Sequence, residues 1–430
     1  MKITILTGGS RGDVQPYVAL GVGLKKLGYS VCMPAPEIFR DLITESGLQY
    51  IQTKSVNPQE FANSLNLENA SKNKNKLKFI RTMFAELKPL MENVYNETLE
   101  ACQGSDAIIS TLALLGSYDI AEKLGIPCIF SMLFPVHSTS AFPSALAPNF
   151  FNLGAYNKIT HSLTEQLLWQ PFRSINRTWR RDVLKLEPHG FWGAFRKIYQ
   201  GAAPVLCGYS PLVVPKPSDW PENMHVTGYW FLDEPDDWQA PPKLDAFLNA
   251  GKPPVYIGFG SMMDKEPERI TEIVLDALQL SGQRGILSSG WSGLGNKKLP
   301  DHVFKVGSLP HAWLFKRMAA VIHHGGAGTT AAGLRSGVPS IITPFIADQP
   351  FWGQHVSNLG IGTKPISYHK LSTENLAELI TCCLTDKNMQ AKAKAFGEKI
   401  TLENGVEKAA TIIDQYLSSS RNGSVVCNIK

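Results

Sequence analysis

Short apolar runs, glycine-bearing turns and amphipathic stretches follow one another along the chain, and they do so in the same order twice. Residues 2–7 (KITILT) read as a buried strand, Gly8, Gly9 and Gly12 as a turn, and residues 16–28 as a helix with Pro16 near its start. Strand character returns at 29–33, 107–110, 126–132 and 204–208. Strand–turn–helix–strand of this kind opens a doubly wound parallel sheet. Residues 134–200 show no such order. They are aromatic-rich, with Trp169, Trp179 and Trp192, and read as an irregular insertion. Nine prolines and the acidic run 233–237 then mark residues 211–254 as a linker zone. The pattern restarts with a strand at 254–259, a turn at Gly260-Ser261, a helix at 267–280, and strands at 285–289, 303–306, 320–323 and 340–343. The expected organisation is a first α/β domain over 1–215, a linker over 216–250, a second over 251–405, and a final helix with a polar tail over 406–430. Each domain is Rossmann-like, and the two are expected to face each other across a cleft.

Composition narrows the class. The chain has 430 residues, 43% hydrophobic and 18% charged, which is globular and large enough for two cores. The net charge of +5 is too mild to imply nucleic acid. It is unevenly placed: residues 151–200 hold eight Lys/Arg against three Asp/Glu, and residues 71–90 hold six against one. Two such patches suit an anionic membrane surface or an acidic acceptor, or are solvated helix faces. Residues 71–78 read as a mobile loop leading into a helix. The seven cysteines form no CxxC pair, so reduced thiols in a cytoplasmic protein are expected. No stretch approaches the ~18–20 apolar residues of a transmembrane helix, so membrane contact is expected only at the periphery.

The densest chemistry is His323-His324-Gly325-Gly326-Ala327-Gly328-Thr329-Thr330, between an apolar strand and a helical stretch. Glycines allow close backbone approach, and the amides and dipole of the helix start favour an anion. His324, Thr329 and Thr330 add side-chain donors. There is neither a P-loop Gly-Lys-Ser/Thr nor GxGxxG spacing, so the segment suggests a diphosphate held without a P-loop lysine. Eighteen residues beyond Thr330, Asp348-Gln349 follow the next strand, where a carboxylate and an amide suit vicinal sugar hydroxyls. In the first loop, Asp13 is either a helix cap or a general base. Arg11 orients that loop, touches a phosphate or forms a structural ion pair. Ser261 either caps the helix after it or reaches the diphosphate. His311 and Trp313 flank a nucleobase or pack in the core. Asp233, Asp236 and Asp237 resemble a metal cluster but lie in the linker.

These motifs resemble family 1 glycosyltransferases of the GT-B fold, most of all the sterol 3-beta-glucosyltransferase branch and its bacterial relatives that glycosylate macrocyclic antibiotics. The likeness rests on residues 10–21 (SRGDVQPYVALG), 311–330 (HAWLFKRMAAVIHHGGAGTT) and 337–353 (GVPSIITPFIADQPFWG). It implies that Asp13 is the base, that His324, Gly326, Gly328 and Thr329 form the diphosphate turn, and that Asp348 and Gln349 hold the sugar. Ser261 and His311 join the donor side; Arg11 and Trp352 fall on the acceptor side. One departure is Ile346-Ala347, where sterol members often carry Phe-Gly.

The expected reaction is an inverting, metal-independent transfer of a hexose, glucose from UDP-glucose, to a hydroxyl of a lipophilic acceptor such as a sterol. The nucleotide sugar is a substrate, and no cofactor is expected. A nucleotide-sugar epimerase or a non-catalytic nucleotide-sugar binding protein of the same fold is the alternative. An NAD dehydrogenase is disfavoured by the missing GxGxxG and distal acid.

Overall fold

Strands built from continuous apolar residues can be buried on both faces only inside a parallel sheet covered by helices. Residues 3–6 (ITIL) and 255–258 (VYIG) are buried throughout, and each run lies in an interior strand, third in order across its own sheet. The computed structural model describes residues 1–54, 76–111, 114, 116–147, 152–233, 238–260, 267–290, 294–295, 298–307 and 309–421, without the side chains of 76–88 and 421. They form two compact units, one of residues 1–211, 215–232 and 404–430, the other of 212–214 and 233–403.

The first unit holds β1 (Lys2–Leu6), β2 (Ser30–Ala35), β3 (Gln49–Gln52), β4 (Ala107–Thr111), β5 (Cys128–Met132), β6 (Val205–Cys207) and β7 (Met224–Val226). They form one parallel sheet in the order β3-β2-β1-β4-β5-β6-β7. Its helices are α1 (Arg11–Lys26), α2 (Arg40–Glu45), α3 (Lys76–Ala101), α4 (Gly116–Leu124), α5 (Gly154–Trp169), α6 (Arg173–Trp179) and α7 (Phe195–Gln200). The second unit holds α8 (Pro242–Asn249), β8 (Val255–Gly258), α9 (Pro267–Leu280), β9 (Gly285–Ser288), β10 (Val303–Val306), α10 (His311–Leu314), β11 (Ala320–His323), α11 (Ala327–Ser336), β12 (Ser340–Ile342), α12 (Gln349–Asn358), α13 (Thr373–Thr385) and α14 (Lys387–Thr401). Its sheet is also parallel, in the order β10-β9-β8-β11-β12. In both sheets strand order reverses beside the first strand, at β1/β4 and at β8/β11. Ligands of open α/β sheets bind beyond the carboxyl ends of strands at such points. The last helix, α15 (Gly405–Arg421), belongs to the first unit.

Several expectations change. Helix α1 begins at Arg11, not at residue 16. Ser10 at the N-cap and Asp13 in the first turn start it early, and Pro16 sits inside, where its missing N–H costs only the bond to Gly12. Residues 134–200 carry three α-helices, α5, α6 and α7, and a π-helical turn at Arg180–Leu184. Their period was hidden because α5 buries Asn157, Thr160, His161 and Thr164 while Ile159, Leu163 and Leu167 face outward. Residues 216–250, read as a linker, contain β7 and α8. The expected loop at 71–78 lies outside the described residues up to 75; from Lys76 it is helix. The six described cysteines are free, and Cys427 lies outside. Among the described residues no helix is long and apolar enough to cross a membrane.

Candidate functional site

In the first unit, the loop after β1 folds back on the start of α1. Ser10 donates to Asp13 Oδ2 twice, from its backbone N–H at 2.8 Å and from its hydroxyl at 2.9 Å. Thr7 donates its hydroxyl to the Asp13 carbonyl at 2.9 Å. Gly9 has φ +120°, and a Cβ there would lie 2.5 Å from Asp13 Oδ2, so the loop closes on the carboxylate only with glycine. Among the described residues nothing bonds to Asp13 Oδ1. The residue keeps solvent access, yet the protein packed around its carboxyl pushes its pKa above the ordinary value, against the two Ser10 bonds that pull it down. One turn on, Tyr17 is buried, donates to the Ser131 carbonyl at 3.2 Å and meets Trp230 edge-on, which anchors α1. Arg11 is exposed, and its Nε donates to Gln15 Oε1 at 2.9 Å.

In the second unit, β11 ends at His323 and α11 begins after Gly326 as N-cap. His323 is fully buried, and its Nδ1 accepts the Gly325 N–H at 3.1 Å. Desolvation holds it neutral, far below its usual pKa. Gly325 has φ +93°, and a Cβ there would lie 2.6 Å from Ile342 Cγ2 and 3.1 Å from the Gln349 carbonyl. The turn therefore presses against the next loop with no room for a side chain.

His324 lies between two glycines. A Cβ on Gly260 (φ +63°) would meet its Cε1 at 2.7 Å, and one on Gly326 would meet its Nε2 at 2.5 Å. Gly290 in turn packs on the Gly260 carbonyl, 2.4 Å from where its own Cβ would stand. The ends of β9, β8 and β11 thus form a glycine cradle around one imidazole. Burial lowers the His324 pKa to about 4, so the ring is neutral near pH 7 and offers one N–H. Its Nδ1 has no hydrogen-bond partner among the described residues. Gly328 and Thr329 lie in the first turn of α11, with Thr329 partly exposed. Thr330, expected among the anion donors, is instead buried beneath them.

The loop between β12 and α12 carries the second constellation. Gln349 Oε1 accepts the backbone N–H groups of Phe345 at 2.7 Å and Ile346 at 3.2 Å. Its carbonyl end is thus committed to shaping the loop. Asp348 is the N-cap of α12, and its Oδ2 accepts the Trp352 indole N–H at 2.7 Å. Trp352, placed on the acceptor side by the sequence, is fully buried in the second unit. Its large apolar ring fills the core, and its one polar atom steadies Asp348. Ala347, immediately before Asp348, has φ +59°.

His311 opens α10, stacks on Phe315 at 4.5 Å and lies with its Nε2 3.4 Å from the Tyr256 hydroxyl. Trp313 packs 5.1 Å from Trp238, with the Arg317 guanidinium 4.0 Å over its ring. Asp233 pairs with Arg335 at 2.6 Å. Ser261, Asp236 and Asp237 lie outside the described residues. Sequence reasoning missed the roles of His323, Gly260 and Gly290. The His-His doublet was the only local sign, because the glycines come from turns far away in the chain.

Residues 3–143 match the glycosyltransferase family 28 N-terminal domain, and residues 289–407 match the erythromycin biosynthesis protein CIII-like C-terminal domain. A sterol 3-beta-glucosyltransferase of Cryptococcus neoformans is 36% identical over 98% of this chain, and one of Arabidopsis thaliana is 35% identical over 98%. The chain spans 27% of the length of the first and 66% of the second. The calicheamicin glycosyltransferase superposes with a TM-score of 0.68 at 16% identity, covering 97% of this chain and 98% of its own. The spinosyn forosaminyltransferase gives 0.69 at 13%, covering 97% and 99%. With family matches on both of its parallel-sheet units, the chain belongs to the GT-B glycosyltransferases, and along nearly its whole length it is similar to sterol 3-beta-glucosyltransferases.

Proposed function

We propose that the chain moves glucose from UDP-glucose to the hydroxyl of a sterol or a similarly lipophilic alcohol, with inversion at the anomeric carbon. The observation that carries the reading is the pairing of a neutral, glycine-cradled His324 at the start of α11 with a buttressed Asp348 at the start of α12. The first suits a diphosphate and the second a sugar hydroxyl. The acceptor class is supported by the relatives' names, which are those of sterol 3-beta-glucosyltransferases.

In this mechanism the acceptor oxygen attacks the anomeric carbon as the bond to the UDP oxygen breaks on the opposite face. Asp13 takes the acceptor proton. The amides and dipole at the α11 N-terminus, with the His324 N–H, meet the charge that develops on the leaving diphosphate. Thr329 adds a hydroxyl, and Gly326 and Gly328 let the backbone approach. Charge stabilisation of this kind needs no metal ion. Contact with a membrane at the periphery belongs to the same reading, because the acceptor is drawn from lipid.

The test is incubation with UDP-glucose and an equimolar mixture of a sterol, a flavonoid and a free sugar, followed by mass spectrometry, with and without EDTA. A hexose-shifted sterol in both conditions is expected. A product on the free sugar alone, or an epimerised donor without transfer, overturns the function. Activity lost to EDTA and restored by manganese overturns metal independence.

A further inference from the structure

Helix α5 is built inside out. Its inward residues are Asn157, Thr160, His161 and Thr164, all buried, with Trp169 buried at its last turn. The four polar ones are held by polar contacts: Asn157 to the Ser140 carbonyl at 2.8 Å, Thr160 from the Ser144 N–H at 2.9 Å, His161 to the Val136 and Phe142 carbonyls at 3.0 and 3.1 Å, and Thr164 to the Ser144 hydroxyl at 2.9 Å. Its outward stripe is Ile159, Leu163 and Leu167, four residues apart and so on one face, with Leu163 59% and Leu167 75% exposed. A surface helix of a globular protein shows the opposite arrangement. The Phe191-Trp192 turn lies at the C-terminal end of α5, with Trp192 65% exposed. That turn is fixed there, because the Trp169 indole and the Gln170 amide both donate to the Phe191 carbonyl at 2.9 Å. Among the described residues nothing covers this face.

Charge identifies the partner. Residues 151–200 contain eight Lys/Arg and three Asp/Glu. Arg180 is buried against Asp119 and Glu122, which leaves seven cations outside that network. Arg173 holds its guanidinium 5.1 Å over the Phe191 ring, at the edge of the apolar patch, and Arg177, Lys185 and Lys197 are exposed on neighbouring elements. Exposed apolar side chains with an exposed tryptophan, Arg173 beside it and an excess of exposed cations in the same segment match a bilayer whose headgroups are anionic. A second copy of the chain would bring like charges together around the same patch.

We infer that the outer face of α5, with the Phe191-Trp192 turn, inserts into the headgroup region of an anionic membrane while the surrounding arginines and lysines meet the lipid phosphates. This inference deepens the proposed lipophilic acceptor and rests on it, since it places the acceptor-side unit where such an acceptor resides.

The experiment is co-sedimentation of the full chain with vesicles of phosphatidylcholine alone and of phosphatidylcholine with phosphatidylserine. A parallel assay measures hexose transfer to a sterol dispersed in detergent. Binding is expected to the anionic vesicles, weakening with salt. The double variant Leu163→Glu/Leu167→Glu, at exposed positions, should lose about tenfold or more in vesicle partition at unchanged melting temperature. Arg173→Gln/Arg177→Gln should lose a smaller factor and much of the salt dependence. Binding unaffected by the Leu163→Glu/Leu167→Glu change overturns the inference. So does a dimer in solution that the same change disrupts, which assigns the face to a second copy. Transfer to detergent-dispersed sterol without vesicle binding defeats this surface and leaves the function standing. Vesicle binding without any transfer defeats the function and leaves the surface standing.

Discussion

At the scale of single residues, the proposed proton transfer rests on Asp13. Both hydrogen bonds from Ser10 fall on Oδ2, and Oδ1, unbonded among the described residues, is the oxygen that the proposed mechanism assigns to the acceptor proton. Desolvation raises the pKa of the carboxyl, which makes its carboxylate a stronger base than a free aspartate. The sign of the pH dependence follows. The base works only when deprotonated, so turnover falls as pH drops through its pKa, and the raised value moves that acid limb above the ordinary aspartate range. The variant Asp13→Asn keeps the shape of the side chain and removes the base. Turnover should drop by about 10²–10⁴-fold, while UDP-glucose affinity, which the proposed function assigns to the second unit, stays near wild type. Steady-state kinetics across pH, with calorimetric titration of the donor, checks both halves. Equal turnover in the variant at neutral pH would leave Asp13 a helix-capping residue and nothing more. The sequence placed Asp13 at a helix start but allowed either role. The closed loop over Gly9 and the one-sided hydrogen bonding are tertiary facts that no local pattern encodes.

At the scale of elements, the strand–turn–helix units were legible where burial and period agree. β11 was read from its apolar-rich run and α9 from its place in the repeated strand–turn–helix order, and both match their bounds. Reading failed where the rule is inverted. Helix α5 hides polar residues and shows leucines, so its period pointed the wrong way. The loop before α12 is a subtler case. The sequence shows Ala347 where sterol members often have glycine, and the structure holds that residue at φ +59°. The left-handed region costs a residue with a Cβ about 1–2 kcal/mol, and glycine returns about 0.5–1 kcal/mol of that as extra freedom in the unfolded chain. The Gln349 carbonyl clamp on Phe345 and Ile346, with the Trp352 bond to Asp348, keeps the turn in this conformation. Ala347→Gly should therefore leave stability unchanged or raise it by up to about 1 kcal/mol. Ala347→Val adds a β-branch and should cost about 1–3 kcal/mol, with a fall in kcat/KM for UDP-glucose as Asp348 shifts. Thermal denaturation and donor kinetics on the pair test this. Valine tolerated as well as glycine would mean that the strain is not held by the loop.

At the scale of the whole molecule, the duplication of one architecture is visible in the order of apolar runs, because parallel strands buried on both faces announce themselves. What the chain does at its end is not visible that way. After α14 it leaves the second unit, and α15 completes the core of the first. Ala409, Ala410, Ile413 and Leu417 are buried in the cluster that contains Ile3, Val18 and Leu24. The fit is close. A Cβ on Gly23 of α1 would stand 2.6 Å from Val406 Cγ1, and one on Gly405 would stand 2.4 Å from the Tyr229 carbonyl. The Tyr29 hydroxyl donates to Asp414 at 2.6 Å. The helix is amphipathic in sequence, but periodicity says only that it has an apolar face, not which of two sheets receives it. This arrangement makes the stability of the first unit depend on residues more than three hundred positions from β1. Replacing Ile413 by alanine should cost that unit about 2–4 kcal/mol, and ending the chain at Asn404 should cost it more, since the whole apolar face of α1 beneath the helix is then exposed. Hydrogen exchange followed by mass spectrometry separates the units. Amides of β1, β2 and α1 should lose protection in both variants, while those of β8 and β11 keep theirs. Equal loss in the two sheets, or protection unchanged in the first, would show that α15 is not part of that core.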